Sequence, residues 1–363
     1  MKKAIVAVPY LKGTGGTETV IKNFSEALDV KNISNDISWK LISFGGSKNS
    51  DWLKGWNRKV YHFTRYRSVQ LASYVCIMPF LVANILRKEK PDFFIATNPV
   101  IWSIAFKFKK YLSPTTKVIA WYHYSFKMKN VKLKYLQKAD EFWAISTGIK
   151  KELTSLGINK DKIRVVFNPI NISSTTHVKT NSKKDHYIYI GRIDYDGQKN
   201  VSELIHALAA VKGDWTCDLY GSVDDDTKNR LYKLAKENKI EKKIHFKGFY
   251  VNIWREINNA DILLLTSRFE GLPMVLCEAA AHGIFLVAAD CPTGVSDIVD
   301  PQKNGKLYQP GNYLELASIL NKIKKNQVKI NSQPDIISSV KKFSYASYRA
   351  RINDSLQKLG RRE

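Results

Sequence analysis

Ile262-Leu263-Leu264-Leu265-Thr266 is a short, unbroken apolar run, the pattern of a strand covered on both faces. Directly after it comes Phe269-Glu270-Gly271-Leu272-Pro273-Met274-Val275-Leu276-Cys277-Glu278. Pro273 suits the first position of a helix, Gly283 sits where that helix would stop, and Ile284 to Ala289 reads as the next strand. Buried strand, helix, buried strand is the unit of an open α/β sheet, and such sheets bind ligands at the mouths of their strand–helix turns. A carboxylate stands at this mouth, beside free backbone N–H groups suited to an anionic ligand.

The same alternation runs through both halves. In the first, strands are expected at Ala4–Val8, Trp39–Phe44, Asp92–Thr97, Val118–Trp121, Lys138–Ser146 and Arg164–Phe167, with a glycine-rich turn at Lys12–Thr17 and a helix over Glu18–Leu28. In the second they are expected at His186–Ile190, Thr216–Tyr220, Lys243–Phe246, Ile262–Thr266 and Phe285–Ala288. Residues 170–185 are polar, rich in Ser and Thr and without period, which reads as a linker. The expected organisation is a doubly wound domain over 1–169, a second over 186–345, and a terminal helix within 346–363.

Four cysteines without CxxC spacing indicate neither a zinc site nor a disulfide framework and suit a reducing compartment. The apolar start, Ala4 to Val8, is too short for a signal peptide and reads as a first strand. The formal net charge of +25 is uneven: residues 1–170 carry 29 Lys and Arg against 11 Asp and Glu, the remainder 29 against 22. A basic first half implies an acidic partner such as an anionic lipid, a phosphorylated substrate or a nucleic acid, although lysine-rich solvated faces account for part of it. No aromatic-basic RNA motif or recognition helix accompanies the charge, so a nucleic-acid partner is not expected. Leu71 to Leu86 is nearly apolar but short of the roughly 20 residues a membrane span needs. It is expected to be a buried or half-buried helix, with contact to a bilayer surface as the alternative.

Glu270 and Glu278 are eight positions apart, which on a helix is about 12 Å. Paired glycosidase carboxylates stand about 5–9.5 Å apart, so these two are better placed on different parts of one long ligand. Taken alone, they read sooner as a dipole-complementing residue and a solvent-facing one, and it is the rest of the chain that turns the reading. Arg192 and Lys199 project from one strand–helix loop, an arrangement suited to a diphosphate. Gly13, Gly15 and Gly16 lie between the first strand and helix, where backbone can approach a phosphate or sugar, yet the full dinucleotide fingerprint is missing. His123 follows Trp121-Tyr122 at a strand end, a ligand-facing place. Asp194 with Asp196, and Asp224-Asp225-Asp226, resemble metal-binding pairs but lack a third ligand and read as solvated loops.

Gly15-Gly16-Thr17-Glu18, His123, Asn168-Pro169, Gly191-Arg192 with Lys199, and Glu270-x7-Glu278 together resemble family four of the retaining GT-B glycosyltransferases, in order and over nearly the whole chain. Several strings are similar to the bacterial lipopolysaccharide core α-1,6-galactosyltransferases: Glu18 to Asn23, Gly197-Gln198-Lys199, Leu264 to Gly271, Ala289-Asp290-Cys291 and Leu307 to Gly311. The resemblance implies two Rossmann-like domains facing a cleft, the first on the acceptor side. It implies that Arg192 and Lys199 bind the diphosphate of a UDP-sugar, and Glu278 the ribose. Glu270, with the backbone of Gly271, Leu272, Pro273 and Met274, would hold the sugar; His123 would contact it, and Gly15 and Gly16 would line the sugar-phosphate side. It also implies retention of configuration without a cofactor or catalytic metal. The expected acceptor is a cell-surface glycan or glycolipid precursor at the inner membrane face, with galactose the first choice of sugar and glucose the second. A nucleotide-sugar epimerase of the same fold is the alternative reading. Thr293-Gly294-Val295-Ser296-Asp297 departs from the family's commoner G-x-x-E loop ending, which makes donor contacts there the weakest part of the resemblance.

Overall fold

The computed structural model describes residues 1–361 except 14, 33–35, 64–75, 174–177 and 181–184. The chain forms two compact units, Met1–Pro169 together with Tyr345–Glu363, and Ile170–Ser344.

The first unit runs β1 (Lys2–Val8), α1 (Gly16–Ala27), β2 (Ile37–Phe44), β3 (Arg58–Tyr61), α2 (Met78–Glu89), β4 (Phe93–Ala96), α3 (Pro99–Leu112), β5 (Lys117–Ala120), α4 (Leu133–Leu136), β6 (Glu141–Ala144), α5 (Thr147–Ser155) and β7 (Ile163–Val165). Its seven strands form a parallel sheet in the order β3-β2-β1-β4-β5-β6-β7. The unbroken apolar runs occupy its middle: every residue of β4 is buried, in register with Ala4–Ala7 of β1. Phe24 of α1 packs among the rings of Trp39, Trp56, Trp121 and Trp143, so one aromatic cluster ties this helix to the strands beneath it.

The second unit runs β8 (His186–Ile190), α6 (Val201–Ala209), β9 (Thr216–Tyr220), α7 (Asp225–Glu237), β10 (Ile244–Gly248), β11 (Ile262–Leu265), α8 (Met274–Ala281), β12 (Phe285–Ala289), β13 (Gly305–Tyr308), α9 (Tyr313–Lys324) and α10 (Gln333–Ser339). The six strands are parallel, in the order β10-β9-β8-β11-β12-β13. Both sheets reverse direction of growth beside their first strand, at β1/β4 and at β8/β11, and these are the switch points where doubly wound sheets open a ligand crevice.

The expected strands form, with ends shifted by a few residues; the segment read as Lys138–Ser146 is a strand only over Glu141–Ala144. Ser146 caps the next helix, accepting from Ile149 N at 3.1 Å. Two strands carry no sequence signal of the kind used above. β3 and β13 are sheet edges with partly exposed residues and a lysine each, so neither needs a continuous apolar run. Pro273 is the cap rather than the first helical residue of α8: its carbonyl accepts from Leu276 N, and its ring supplies no N–H to the turn. Of the apolar segment 71–86, residues 71–75 lie outside the described residues, and from Met78 it forms α2, burying Met78, Val82, Ile85 and Leu86. Among the described residues no helix is long and apolar enough to cross a membrane.

The final helix, α11 (Tyr345–Gly360), packs on the first unit. Tyr348 meets Phe24 edge-on, and Arg349 Nε donates to Ala27 O at 2.7 Å. Trp143 Nε1 donates to Ser355 Oγ at 2.8 Å, and Ser355 in turn donates to Glu141, which is fully buried with Arg164 Nε 3.6 Å away. Ser355 thus satisfies a carboxylate that water cannot reach. Ser355→Ala is expected to destabilise the first unit by about 1–3 kcal/mol. Amide exchange should accelerate in β5, β6 and β7 and stay unchanged in β8 to β13; equal acceleration in both units would contradict this role for Ser355.

Candidate functional site

The loops after β8 and β11, neighbours across the second switch point, are joined by an ion pair. Lys199 Nζ lies 2.6 Å from Glu270 Oε1, and both side chains are largely buried. Ser267 Oγ donates to the same oxygen at 2.6 Å, which leaves Glu270 Oε2 as the open acceptor. One backbone bond and two side-chain bonds to backbone carbonyls stitch the two loops together: Arg268 N donates to Gln198 O, Gln198 Nε2 to Phe269 O, and Thr266 Oγ1 to Lys199 O. Removing either charge leaves the other half-desolvated without its partner, which costs far more than the pair contributes.

Glu270 is also held from the loop after β12. Its N–H donates to Pro292 O, while Thr293 Oγ1 donates to the carbonyls of Glu270 and Gly271 at 2.6 and 2.9 Å. Gly294 lies against this turn so closely that a Cβ there would stand 2.4 Å from Gly271 O. Thr293 and Gly294, at the start of the loop that departs from G-x-x-E, therefore brace the Glu270 loop. With these carbonyls turned toward Thr293 and no side chain capping α8, the amides of Met274 and Val275 in its first turn stay open, while that of Leu276 donates to Pro273 O. Arg192, at the start of the loop after β8, is mostly exposed and loosely paired with Asp194 at 3.5 Å. Asp194 accepts the N–H groups of Lys199 and Asn200, and Asp196 accepts from Ser202 Oγ, so both aspartates shape the loop. Asp224 caps α7 through Thr227.

Glu278 is in the middle of α8, half-buried, and Trp254 Nε1 donates to its Oε2 at 3.0 Å. Burial pushes its carboxyl pKa up, and the indole bond acts against that rise. Cys291, near Glu270, has its thiol pushed up to about 12, first by burial and then by the Glu270 charge, so it is not a thiolate nucleophile.

In the first unit, Gly15 caps α1 without a side-chain bond, and the space around a Cβ at Gly16 is open. Glu18, buried in the first turn, accepts the N–H of Gly13 at 2.7 Å. His123 follows β5, its ring edge-on to Trp121 at 4.5 Å. Both ring nitrogens are shielded from solvent and have no hydrogen-bond partner among the described residues. Burial drives its pKa down to about 3, so the imidazole is neutral near pH 7, offering one donor and one acceptor. The loop that carries it is pinned by Glu152, which accepts from Ser125 Oγ and Phe126 N at 2.6 and 2.9 Å.

The structure brings Lys199, Glu270, Gly271, Leu272, Pro273 and Met274 to one mouth of the second sheet, with Arg192 on the same loop as Lys199 and Glu278 along the helix. Gly15, Gly16 and His123 lie at the mouths of β1 and β5 in the first. The direct Lys199–Glu270 contact was not expected, because 71 positions separate the two residues. Ser267 and Thr293 sit within quoted strings but carried no signal of their own. Trp254 and Glu152 had none, since each acts on a residue distant in sequence.

Comparison with known proteins bears on the family and the fold. Residues 174–343 match the family described as glycosyl transferases group 1, and residues 14–174 match glycosyltransferase family 4. The chain is 30% identical to the lipopolysaccharide 1,6-galactosyltransferase of Escherichia coli strain K12, over 94% of each chain. The solved structure of the lipopolysaccharide outer core galactosyltransferase WaaB, in its apo form, superposes with a TM-score of 0.84 at 28% identity, covering 98% of this chain and 99% of that one. An Anabaena protein, HepE, solved in complex with UDP, shares the fold at a TM-score of 0.80 and 18% identity, covering 99% of this chain and 100% of its own. These relatives favour sugar transfer over the epimerase alternative, and the two parallel-sheet units are those of the GT-B fold. The chain belongs to the group 1, family 4 glycosyltransferases.

Proposed function

We propose that this glycosyltransferase moves a hexose, galactose first and glucose second, from a UDP-sugar to a lipopolysaccharide, capsule or exopolysaccharide precursor, with retention of configuration. The observation that carries the reading is the Lys199–Glu270 pair at the β8/β11 switch point, beside the open N-terminus of α8 and the exposed Arg192. A galactose donor is favoured by the lipopolysaccharide 1,6-galactosyltransferase relative, and a uridine nucleotide is in keeping with the complex of the HepE protein.

As the bond from the anomeric carbon to UDP breaks, negative charge develops on the leaving diphosphate. Arg192, Lys199 and the first amides of α8 are placed to stabilise it, so no metal is called for. Glu270 Oε2 accepts from sugar hydroxyls, and Glu278 accepts from the ribose. His123, neutral and unpartnered, exchanges hydrogen bonds with a sugar hydroxyl. The acceptor oxygen then bonds to the same face of the anomeric carbon that UDP leaves, its proton departing with the leaving group. Positioning and electrostatics supply the rate.

The acceptor is read as a glycolipid precursor held at the inner face of the plasma membrane, with the enzyme peripheral there. Supporting this, exposed Tyr124, Met128 and Leu133 alternate with Lys127, Lys129, Lys132 and Lys134 in a segment without acidic residues.

Three measurements test the reading. In a hydrolysis screen across UDP-, GDP- and ADP-sugars, UDP-galactose or UDP-glucose should be turned over selectively. Glu270→Ala and Glu270→Gln should lower that turnover by about 10²–10³; full activity in both would remove Glu270 from the site. His123 should contribute no ionisation to the rate between pH 5.5 and 8. Its folded pKa lies below the unfolded value, so its protonation belongs to acid unfolding: stability falls as pH drops below about 6.5, and His123→Gln should flatten that fall. Finally, co-sedimentation with vesicles should need anionic lipid and weaken with added salt, and replacing the four lysines of 127–134 with glutamine should abolish it; salt-insensitive binding would point to another mode.

A further inference from the structure

Trp254 belongs to none of the motifs above. It lies in the short turn Ile253–Arg255 between β10 and β11 and is half-buried against α8. Its two contacts, one within that helix and one at its C-cap residue, are of different kinds. The indole N–H donates to Glu278 Oε2 at 3.0 Å, while the ring stacks on His282, centroids 4.4 Å apart and planes 20° from parallel. Glu278 and His282 are four residues apart, hence one turn apart on the same side of the helix. One side chain therefore spans this stretch of α8, anchored by its face at one end and by its N–H at the other.

We propose that Trp254 is a positioning residue for nucleotide recognition, holding the Glu278 carboxylate in the orientation that receives the vicinal hydroxyls of the donor's ribose. This rests on the reading of Glu278 as the ribose ligand. An indole is a donor only, so it cannot compete with the carboxylate for hydroxyl protons. Glu278 has two oxygens and about four acceptor positions. Trp254 takes one position on Oε2, leaving Oε1 whole and capacity for two hydroxyls. A glutamate on a half-exposed helix face otherwise samples several rotamers, and freezing it on binding opposes affinity. The His282 stack prevents the indole from swinging with the glutamate, so the acceptor geometry exists before ligand arrives. The indole bond also favours the ionised carboxyl against the effect of burial.

The test uses the full chain and two nucleotides. Trp254→Phe keeps the aromatic face on His282 and deletes the N–H. By calorimetry its affinity for UDP should fall about tenfold, while 2′,3′-dideoxy-UDP, which retains the phosphates and base, binds the variant and the parent alike. Donor KM should rise with kcat maintained. His282→Ala, which removes the stack and keeps the N–H, provides an independent arm: a smaller fall for UDP and none for the dideoxy compound. Adding Trp254→Phe to Glu278→Gln should cause no further loss, since both act through one contact. An equal fall for the two nucleotides would make Trp254 a wall of the pocket and overturn the proposal, as would unchanged UDP affinity in both variants. A parent protein that binds neither nucleotide would instead sink the donor reading itself.

Discussion

The ion pair between Lys199 and Glu270 is the constraint around which the second unit's ligand edge is arranged. It joins two loops that meet only because β8 and β11 are neighbours in the sheet, far apart as they are in the chain. Two largely buried charges need one another and additional hydrogen bonds. Ser267 supplies one on the carboxylate, and Thr293 holds the backbone on which that carboxylate stands. Gly294 allows the Thr293 loop close enough to do so. The pair is loaded on one oxygen, so the other remains able to accept from a ligand without breaking it.

A second regularity lies in the helix N-termini. Asn98, Ser146, Asp224, Asn312 and Ser332 each cap a helix with a side-chain oxygen. The helices beginning after Gly15, Asn200 and Pro273 have no such cap. These three follow β1, β8 and β11, the strands at or beside the switch points. Of the four helices that follow a switch-point strand, three therefore leave their first amides without a side-chain cap, as suits a ligand there, while the one after β4 keeps Asn98. The helices after Ile77 and Lys132, elsewhere in the first unit, lack a cap as well.

Much of this was legible in the sequence because it rests on local pattern. Unbroken apolar runs marked the central strands, and Glu270, Glu278, Arg192, Lys199 and His123 stood at strand ends or on a following helix, where the fold puts ligand contacts. β3 and β13 were not legible, because an edge strand half open to solvent needs no distinctive composition. Nor were the supports of the site. Ser267, Thr293, Glu152 and Trp254 act through single hydrogen bonds to residues whose proximity the fold creates. The loop Thr293 to Asp297 illustrates the limit: read linearly it weakened the resemblance, and in three dimensions its Thr293 and Gly294 brace the Glu270 turn.

The return of α11 to the first unit has a consequence for how the protein is made. Glu141, Trp143 and Phe24 are synthesised early, yet Ser355 and Tyr348, which complete their surroundings, leave the ribosome only after the whole second unit. At about 5–20 residues per second that interval lasts many seconds. Throughout it the first sheet carries a carboxylate and an aromatic cluster lacking their final cover, so its last packing step waits for the end of translation. Maturation of the first unit is in this way timed by synthesis of the second.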